Sequence, residues 1–480
     1  MSAIAEIIPT TQQDNLPIGW TLATIEDLVG DGGVFIDGDW VESKDQDPEG
    51  DVRLIQLADI GDGEYRDRSA RFLTREKAIE LGCTFLKKGD VLIARMPDPL
   101  GRACIFPGDS KPAVTVVDVA IVRSAAGEFN HRWLMYFVNA PAFRSTVYSM
   151  QSGSTRKRIS RGNLAKIALP VPPLDQQKRI VAEIEKQFSR LDEAVANLKR
   201  VKANLKRYKA AVLKAAVEGR LVETEAELAR REGREYETGA QLLQRILETR
   251  RSQWKGKGKY KEPTAPDTTD LPELPEGWVW ASLGSLGEVI GGLTKNPKRA
   301  KIKRKLPYLR VANVYANELR LDEIEEIGVE DGELEKLLVR EGDLLIVEGN
   351  GSPDQIGRLA IWDGSISPCV HQNHLIKVRL PMPNLPNWIV NWLTSPEGRS
   401  YIRKVASSTS GLYTLSTNKI SALPIPLPPV GEIQRIISEV DHLISSVRKT
   451  EDIIADNERR GGVLKQVCLG RCFSKLLCNR

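Results

Sequence analysis

The sequence predicts an α+β protein built from two similar globular domains separated by two long helices that pair as an antiparallel coiled coil. Three observations predict it. The chain is written twice, each copy ends in a proline-rich strip that runs straight into a helix, and each helix carries an apolar residue every seven positions.

The repeat is an ordered set of signals. "LPIGW" at Leu16 returns as "LPEGW" at Leu274, and "LKKGDVLIAR" at Leu86 returns as "LVREGDLLIVE" at Leu338. "GRACIF" at Gly101 returns as "GRLAIW" at Gly357, and "LPVPPLDQQKRIVAEI" at Leu169 returns as "LPIPLPPVGEIQRIISEV" at Leu423. The copies lie 253 to 258 residues apart, so loops have lengthened and shortened within a common order. Two long copies are a duplicated domain and not a solenoid.

The predicted segments follow in chain order: a first domain over 1–173, a long helix over 174–222, a short helix and basic linker over 223–270, a second domain over 271–429 and a second long helix over 430–480. Within the domains, "GDVLIA" and "GDLLIV" read as tight turns feeding buried strands. "AVTVVDVAIVRS" and "HLIKVRL" supply further strands, and "HRWLMYFVNAPAFRSTV" and "PNWIVNWLTSPEGRSYIRKV" are helical stretches broken at Ala-Pro and Ser-Pro.

The strips "LPVPP" and "LPIPLPP" are stiff, because proline fixes φ and pushes the preceding residue toward extended geometry. They should fix the direction in which each helix leaves its domain, with Asp175 as N-cap of the first and Gly431 near the start of the second. In the first helix Ile184, Leu191, Leu198, Leu205 and Val212 fall seven apart, with Phe188, Val195, Val201 and Tyr208 between them. The second repeats this with Ile433, Val440, Val447 and Ile454, and with Ile437 and Ile444 between. An apolar stripe on a lone helix stays wet, and the nearest partner for each is the other copy. The helix from Asp175 to about Gly219 would span roughly 65 Å. Between the halves, 250–271 has no periodicity and reads as a linker, preceded by a helix from about Gly239 to Arg250.

Charge is distributed in blocks. The net charge is +5, yet Lys295 to Lys305 holds seven bases in eleven residues and no acid, and Lys199 to Lys214 again holds seven bases and no acid. Asp322 to Glu335 holds eight acids and no base. With the cluster Arg156, Lys157, Arg158 and Arg161, the basic blocks point to a polyanion. The N-terminus lacks the basic start and apolar run of a secretory signal, and no apolar stretch approaches the roughly 20 residues that span a bilayer. Six irregularly spaced cysteines read as free thiols in a reducing cytoplasm.

No catalytic constellation emerges. There is no G-x-x-x-x-G-K-[ST] loop, no G-x-G-x-x-G after a strand, and no Asn- or Asp-Pro-Pro-aromatic tetrapeptide of an amino-methylating enzyme. Cys369, His371 and His374 cluster in "CVHQNH", but on a strand His374 faces away from the other two, so no metal site is expected. Asp90 and Asp343 each follow a glycine at a turn and read as turn formers.

The motifs quoted above, above all the proline-to-helix joint present twice, resemble the specificity subunit of Type I restriction–modification systems along essentially the whole chain. The resemblance implies two target-recognition domains, each reading one half of a bipartite, asymmetric sequence in double-stranded DNA. It implies helices that hold the halves apart and dock two methyltransferase (modification) subunits, joined by restriction/translocase subunits. The subunit itself would be non-catalytic, cytoplasmic and without a membrane contact. S-adenosylmethionine, ATP and magnesium would belong to its partners, whose complex methylates adenine and cuts DNA with ATP. The terminal "FSKLLCNR" departs from the family's usual ending, whereas "VEGRLV" after the first helix keeps it.

Phosphate contacts are expected from Arg156, Lys157, Arg158 and Arg161 in the first domain and from Lys295, Lys298, Arg299, Lys301, Lys303, Arg304 and Lys305 in the second. Tyr413 and Thr414, in the loop "STSGLYTLS", are candidate base readers. The insertion "EGNGSPDQ", longer than its counterpart "RMPDP", is where specificity should differ between the copies. The basic run on the first helix would face either DNA or an acidic partner. Two alternatives are a non-catalytic coiled-coil scaffold and a fused DNA-modifying enzyme; the latter would need a cofactor motif.

Overall fold

The computed structural model describes residues 16–478 except positions 126, 128, 155, 255–257 and 410, and side chains are not described at 408, 409 and 474–478. The N-terminal stretch read above as lacking a signal, and the side chains of the terminal "SKLLC", lie outside the described residues. The chain forms two compact units, Met1–Arg200 with Ile454–Arg480, and Val201–Ile453.

Each unit contains one α+β domain, and the two domains share their principal sheets. The first has a four-stranded antiparallel sheet ordered Val34–Asp37, Val119–Arg123, Val91–Ala94 and Ala103–Ile105. The second has Glu288–Ile290, Leu375–Arg379, Leu344–Val347 and Leu359–Ile361 in the same order. Both central strands, "VLIA" and "LLIV", are buried along their whole length, as strands covered on both faces must be.

A three-stranded sheet stands beside each. In the first domain Phe72–Leu73, Val52–Ile55 and Ala113–Thr115 pair, with Arg53 opposite Ala113 in parallel. In the second, Glu325–Gly328, Lys305–Leu309 and Val370–His371 pair, with Tyr308 opposite Val370 in parallel.

The Gly-Asp turns carry more than turn chemistry. Asp90 accepts from the Lys87 amide at 2.7 Å and is held by the Arg123 guanidinium at 2.6 and 2.5 Å. Asp343 accepts from the Arg340 amide at 2.8 Å and is held by Arg379 at 2.9 and 2.7 Å. A buried carboxylate needs such partners, and both copies supply them from the neighbouring strand.

The proline strips are strands. Leu169–Val171 pairs antiparallel with Thr21–Ala23, and Pro424–Leu427 pairs with Val279–Ser282. Both sheets have only two strands, so prolines without an N–H sit at an edge. In the second domain the indoles of Trp388 and Trp392 each donate at 2.7 Å to the strip carbonyls of Pro426 and Pro424. The Trp of each "LPxGW" motif reaches the helix that follows the strip: Trp20 Nε1 donates to Gln176 Oε1 at 2.9 Å, and Trp278 Nε1 to Glu432 Oε1 at 3.0 Å. Gly19 and Gly277, both at φ 85°, form the turn that places these indoles. The opening motif of each half thus holds the first turn of the helix at its end.

The long helices run over Leu174–Val217 and Val430–Cys478. Asp175 is not the N-cap: the helix begins one residue earlier, and the Pro173 carbonyl accepts from the Gln176 and Gln177 amides. Asp175 instead pairs with Arg179, one turn on. Within the first unit the helices are antiparallel, Asp192 meeting Lys465 at 2.7 Å while Val195 lies against Gly461. Within the second, Lys209 meets Glu451 at 2.6 Å, and Val212 and Val217 share a core with Ile433 and Val440.

Ile184, Val212, Ile433, Val440, Val447 and Ile454 are buried, and Leu191, Leu198 and Leu205 are partly buried. Val201 and Tyr208, expected to fill intermediate seam positions, are 42% and 45% exposed and do not belong to it. A two-helix seam is narrower than an apolar stripe counted from sequence.

The connection between the halves holds two helices. Gly239–Ser252 was expected; Glu225–Glu232, capped by Thr224, was not. Glu225 bridges Arg435 at 2.7 Å and Arg234 at 2.6 Å. The linker beyond is anchored to the second unit: the Thr264 carbonyl accepts from Ser282, the Pro272 carbonyl accepts from Trp280, and Asp270 pairs with Lys404.

Candidate nucleic-acid interface

In each domain three backbone segments are tied side by side. In the first, the Arg95 amide donates to the Asp118 carbonyl at 2.8 Å, and the Ile159 amide donates to the Arg95 carbonyl at 3.0 Å. In the second, the Glu348 amide donates to the His374 carbonyl at 2.9 Å, and the Leu415 amide donates to the Glu348 carbonyl at 2.8 Å. The residue that follows the central strand is the middle rung, and it joins the sheet to the loop expected to touch DNA.

Those loops differ in build. Ser152 and Arg158 exchange backbone hydrogen bonds at 2.8 and 2.9 Å, so Arg156 and Lys157 sit exposed at the tip of a tight hairpin and Arg158 at its base. In the second domain Leu412–Thr414 is the middle strand of a three-stranded ribbon, with Gly349–Asn350 on one side and Ser407–Thr409 on the other. Asn350 lies opposite Tyr413 and Gly349 opposite Thr414, so the inserted "EGNGSPDQ" and the candidate base readers form one surface. Tyr413 packs its ring against the domain core and is partly buried, as is Thr414.

Arg161 is placed differently from its neighbours. It is the first residue of the helix Arg161–Ala165 and donates to the Phe35 carbonyl at 3.1 Å. Arg95, buried beside it, donates to the Ile159 and Val117 carbonyls and contacts Asp37 at 3.0 Å. Burial raises the Asp37 carboxyl pKa despite this cation.

The opposed charge blocks of the second domain meet each other, because Lys305–Leu309 pairs with Glu325–Gly328. Lys295 binds Glu325 at 2.7 Å, and Arg304 binds Asp331 at 2.6 Å. Arg299 forms a two-pronged pair with Glu333, both contacts at 2.9 Å, and Lys305 donates to the Arg299 and Ala300 carbonyls. Lys298, Lys301 and Lys303 are exposed and have no acidic partner among the described residues. Three cations of the seven therefore remain fully available to a polyanion.

On the helices, Lys209 and Lys214 are engaged by Glu451 and by Glu218 and Glu397, while Lys199, Lys206 and Arg207 are exposed.

Among the described residues no group of three or more His, Cys, Asp or Glu side chains is arranged to hold a metal ion. Cys369 and His371 are fully buried, and His374 is an exposed neighbour of Glu348. The described cysteines are free thiols, and no described helix is long and apolar enough to cross a membrane.

Comparison with known proteins places this geometry. The family described as Type I restriction modification DNA specificity domain matches residues 17–207 and again 275–455. This chain belongs to that family.

Its similarity to individual Type I specificity subunits is distributed along both halves. The EcoKI specificity subunit of Escherichia coli strain K12 is 24% identical over 346 residues, covering 71% of this chain and 64% of that protein. The EcoAI specificity subunit of Escherichia coli is 25% identical, covering 79% of this chain and 71% of that one. This chain thus spans less than two thirds of the EcoKI relative's length. In fold, it is similar to the HsdS subunit from Thermoanaerobacter tengcongensis, with a TM-score of 0.55 at 16% identity over 95% of this chain and 97% of that one.

Reading the sequence of this Type I family member missed the rung residues Arg95 and Glu348. Their signal was present: both follow the repeated strand directly, and there a cation in one copy stands where the other has an anion.

Proposed function

We propose that this chain is the DNA sequence-specificity subunit of a Type I restriction–modification complex, each domain reading one half of an asymmetric bipartite target in double-stranded DNA. The observation that carries this reading is the repeated joint: the same Trp-to-helix bond clamps a domain to a long helix twice, while the loops beside the two sheets differ. A common scaffold with unlike loops is how one fold reads two different sequences.

Arg156, Lys157 and Arg158, and Lys298, Lys301 and Lys303, would contact phosphates, while Tyr413 and Thr414 would approach base edges. Arg161, Lys295, Arg299, Arg304 and Lys305 also bond within their own domain, and would contact phosphates from those positions. The 44-residue helix, about 66 Å long, would set the spacer between half-sites. Its exposed basic face, with the neighbouring helix, would dock two methyltransferase subunits, which restriction/translocase subunits join. S-adenosylmethionine, ATP and magnesium would bind those partners in the cytoplasm.

Two measurements test the reading. With methyltransferase partners present, gel shift against specific and random duplexes at several salt concentrations should show sequence-dependent affinity that falls with salt. Crosslinking of S-adenosylmethionine to the isolated chain should be negative; a labelled chain would favour a fused enzyme.

A further inference from the structure

The two domains keep the same residue at several positions that hold the scaffold. Asp90 and Asp343 hold the same turn with Arg123 and Arg379, and Arg102 and Arg358 reach the same carbonyls, of Leu57 and Val311. At the rungs the residues change. Asp118 and Arg95 in the first domain stand where His374 and Glu348 stand in the second, while the third rung is a buried apolar residue in both, Ile159 and Leu415. The shared backbone bonds leave the side chain free to differ, and it is the exposed side chain among these, not the buried Arg95, that folding does not fix.

His374 is the most exposed of these rung residues in the second domain. Its side chain is 56% exposed, and Nδ1 lies 3.2 Å from a Glu348 carboxylate oxygen. Nε2 lies 3.4 Å from the Asn373 amide nitrogen. A carboxylate accepting from Nδ1–H fixes the tautomer and leaves Nε2 as an acceptor, met in this structure by the Asn373 amide at the long distance of 3.4 Å. The amide and the imidazole are both groups that hydrogen-bond base edges, and the backbone ladder places them beside Gly349, Tyr413 and Thr414. His371, three residues earlier, is wholly buried and bonded to the Leu375 carbonyl, so packing needs that histidine and not His374.

We propose that His374 contacts a base edge in the half-site read by the second domain, and that Glu348 is a positioning residue that orients its ring. The inference rests on the DNA-reading function proposed above. Asp118 occupies the same rung of the first domain, so the two domains accept different bases at corresponding places.

The test is selection from a randomised duplex library by the full chain with its methyltransferase partner. Wild type, His374→Ala, His374→Gln and Glu348→Gln are compared, with thermal unfolding as a folding control. His374→Ala should lose preference at one base pair of one half-site by roughly 5- to 150-fold, the range of one good base contact. The other half-site and the salt slope should be unchanged. His374→Gln should alter the preferred base at that same pair, and Glu348→Gln should weaken the preference there alone. An unchanged motif in His374→Ala overturns the inference. So does equal weakening at both half-sites or a reduced salt slope, which would mark a phosphate contact. A wild-type chain that selects no bipartite motif overturns the proposed function itself, and this inference with it.

Discussion

His371 makes the stability of the second domain depend on pH. Its ring is fully buried, Nδ1 lies 2.8 Å from the Leu375 carbonyl, and Nε2 has no partner among the described residues. Burial, with the Lys377 ammonium nearby, pushes the imidazole pKa down to about 4. An unfolded histidine titrates near 6.5, so between these values the unfolded chain binds a proton that the folded chain refuses. Stability is therefore full above pH 6.5 and falls as the pH drops toward 4. At pH 5 the loss from this one group is about 2 kcal/mol, and at pH 7 it is under about 0.3 kcal/mol.

The perturbation is His371→Asn, whose side-chain amide can take the place of Nδ1–H without titrating. Urea unfolding followed by tryptophan fluorescence suits the domain, since Trp278, Trp362, Trp388 and Trp392 are all buried there. Wild type should lose about 2 kcal/mol more than His371→Asn between pH 7 and pH 5. The cost of the smaller side chain is the same at both pH values and cancels. Equal losses in the two proteins would refute the argument.

Other outcomes follow from the placement of charge and helix. Replacing Lys298, Lys301 and Lys303 with alanine should flatten the dependence of log affinity on log salt by roughly one unit for each phosphate left without its cation, read by gel shift. Arg299→Ala should lower the stability of the second domain by about 2 kcal/mol in urea unfolding, because it strands Glu333. Deleting one heptad from each long helix shortens each by about 10 Å and should shorten the spacer in the recognised sequence. A spacer of unchanged length would remove the helices as a ruler.

Much of the fold was legible because it is written in backbone chemistry. Prolines cannot continue a helix or donate to a ladder, so "LPVPP" and "LPIPLPP" announced stiff strips ending at helix starts, and the structure shows that they pair as edge strands. Pro141 and Pro396 marked the first positions of Pro141–Ser149 and Pro396–Val405 for the same reason. The helix Glu225–Glu232 escaped notice although Thr224 and Glu227 form a capping box, because eight residues are too few for a clear apolar period.

The candidate site was legible only in part. Runs such as 295–305 and 322–335 look like two solvated faces in one dimension, and only strand pairing reveals that Arg299 and Arg304 face Glu333 and Asp331. Val201 and Tyr208 keep the heptad spacing, but a seam has a width that spacing does not report. The rungs formed by Arg95 and Glu348 depend on hydrogen bonds between segments far apart in the chain, which no local pattern encodes.

The central claim is that two unlike domains on one repeated scaffold read two unlike half-sites. Mapping methylated bases across the genome of cells that carry the full chain with its methyltransferase partners measures this most directly. The account predicts one asymmetric motif: two different short sequences separated by a fixed spacer of unspecified bases, lost when this chain is deleted. A continuous motif, two identical half-sites, or methylation that persists without the chain would contradict it.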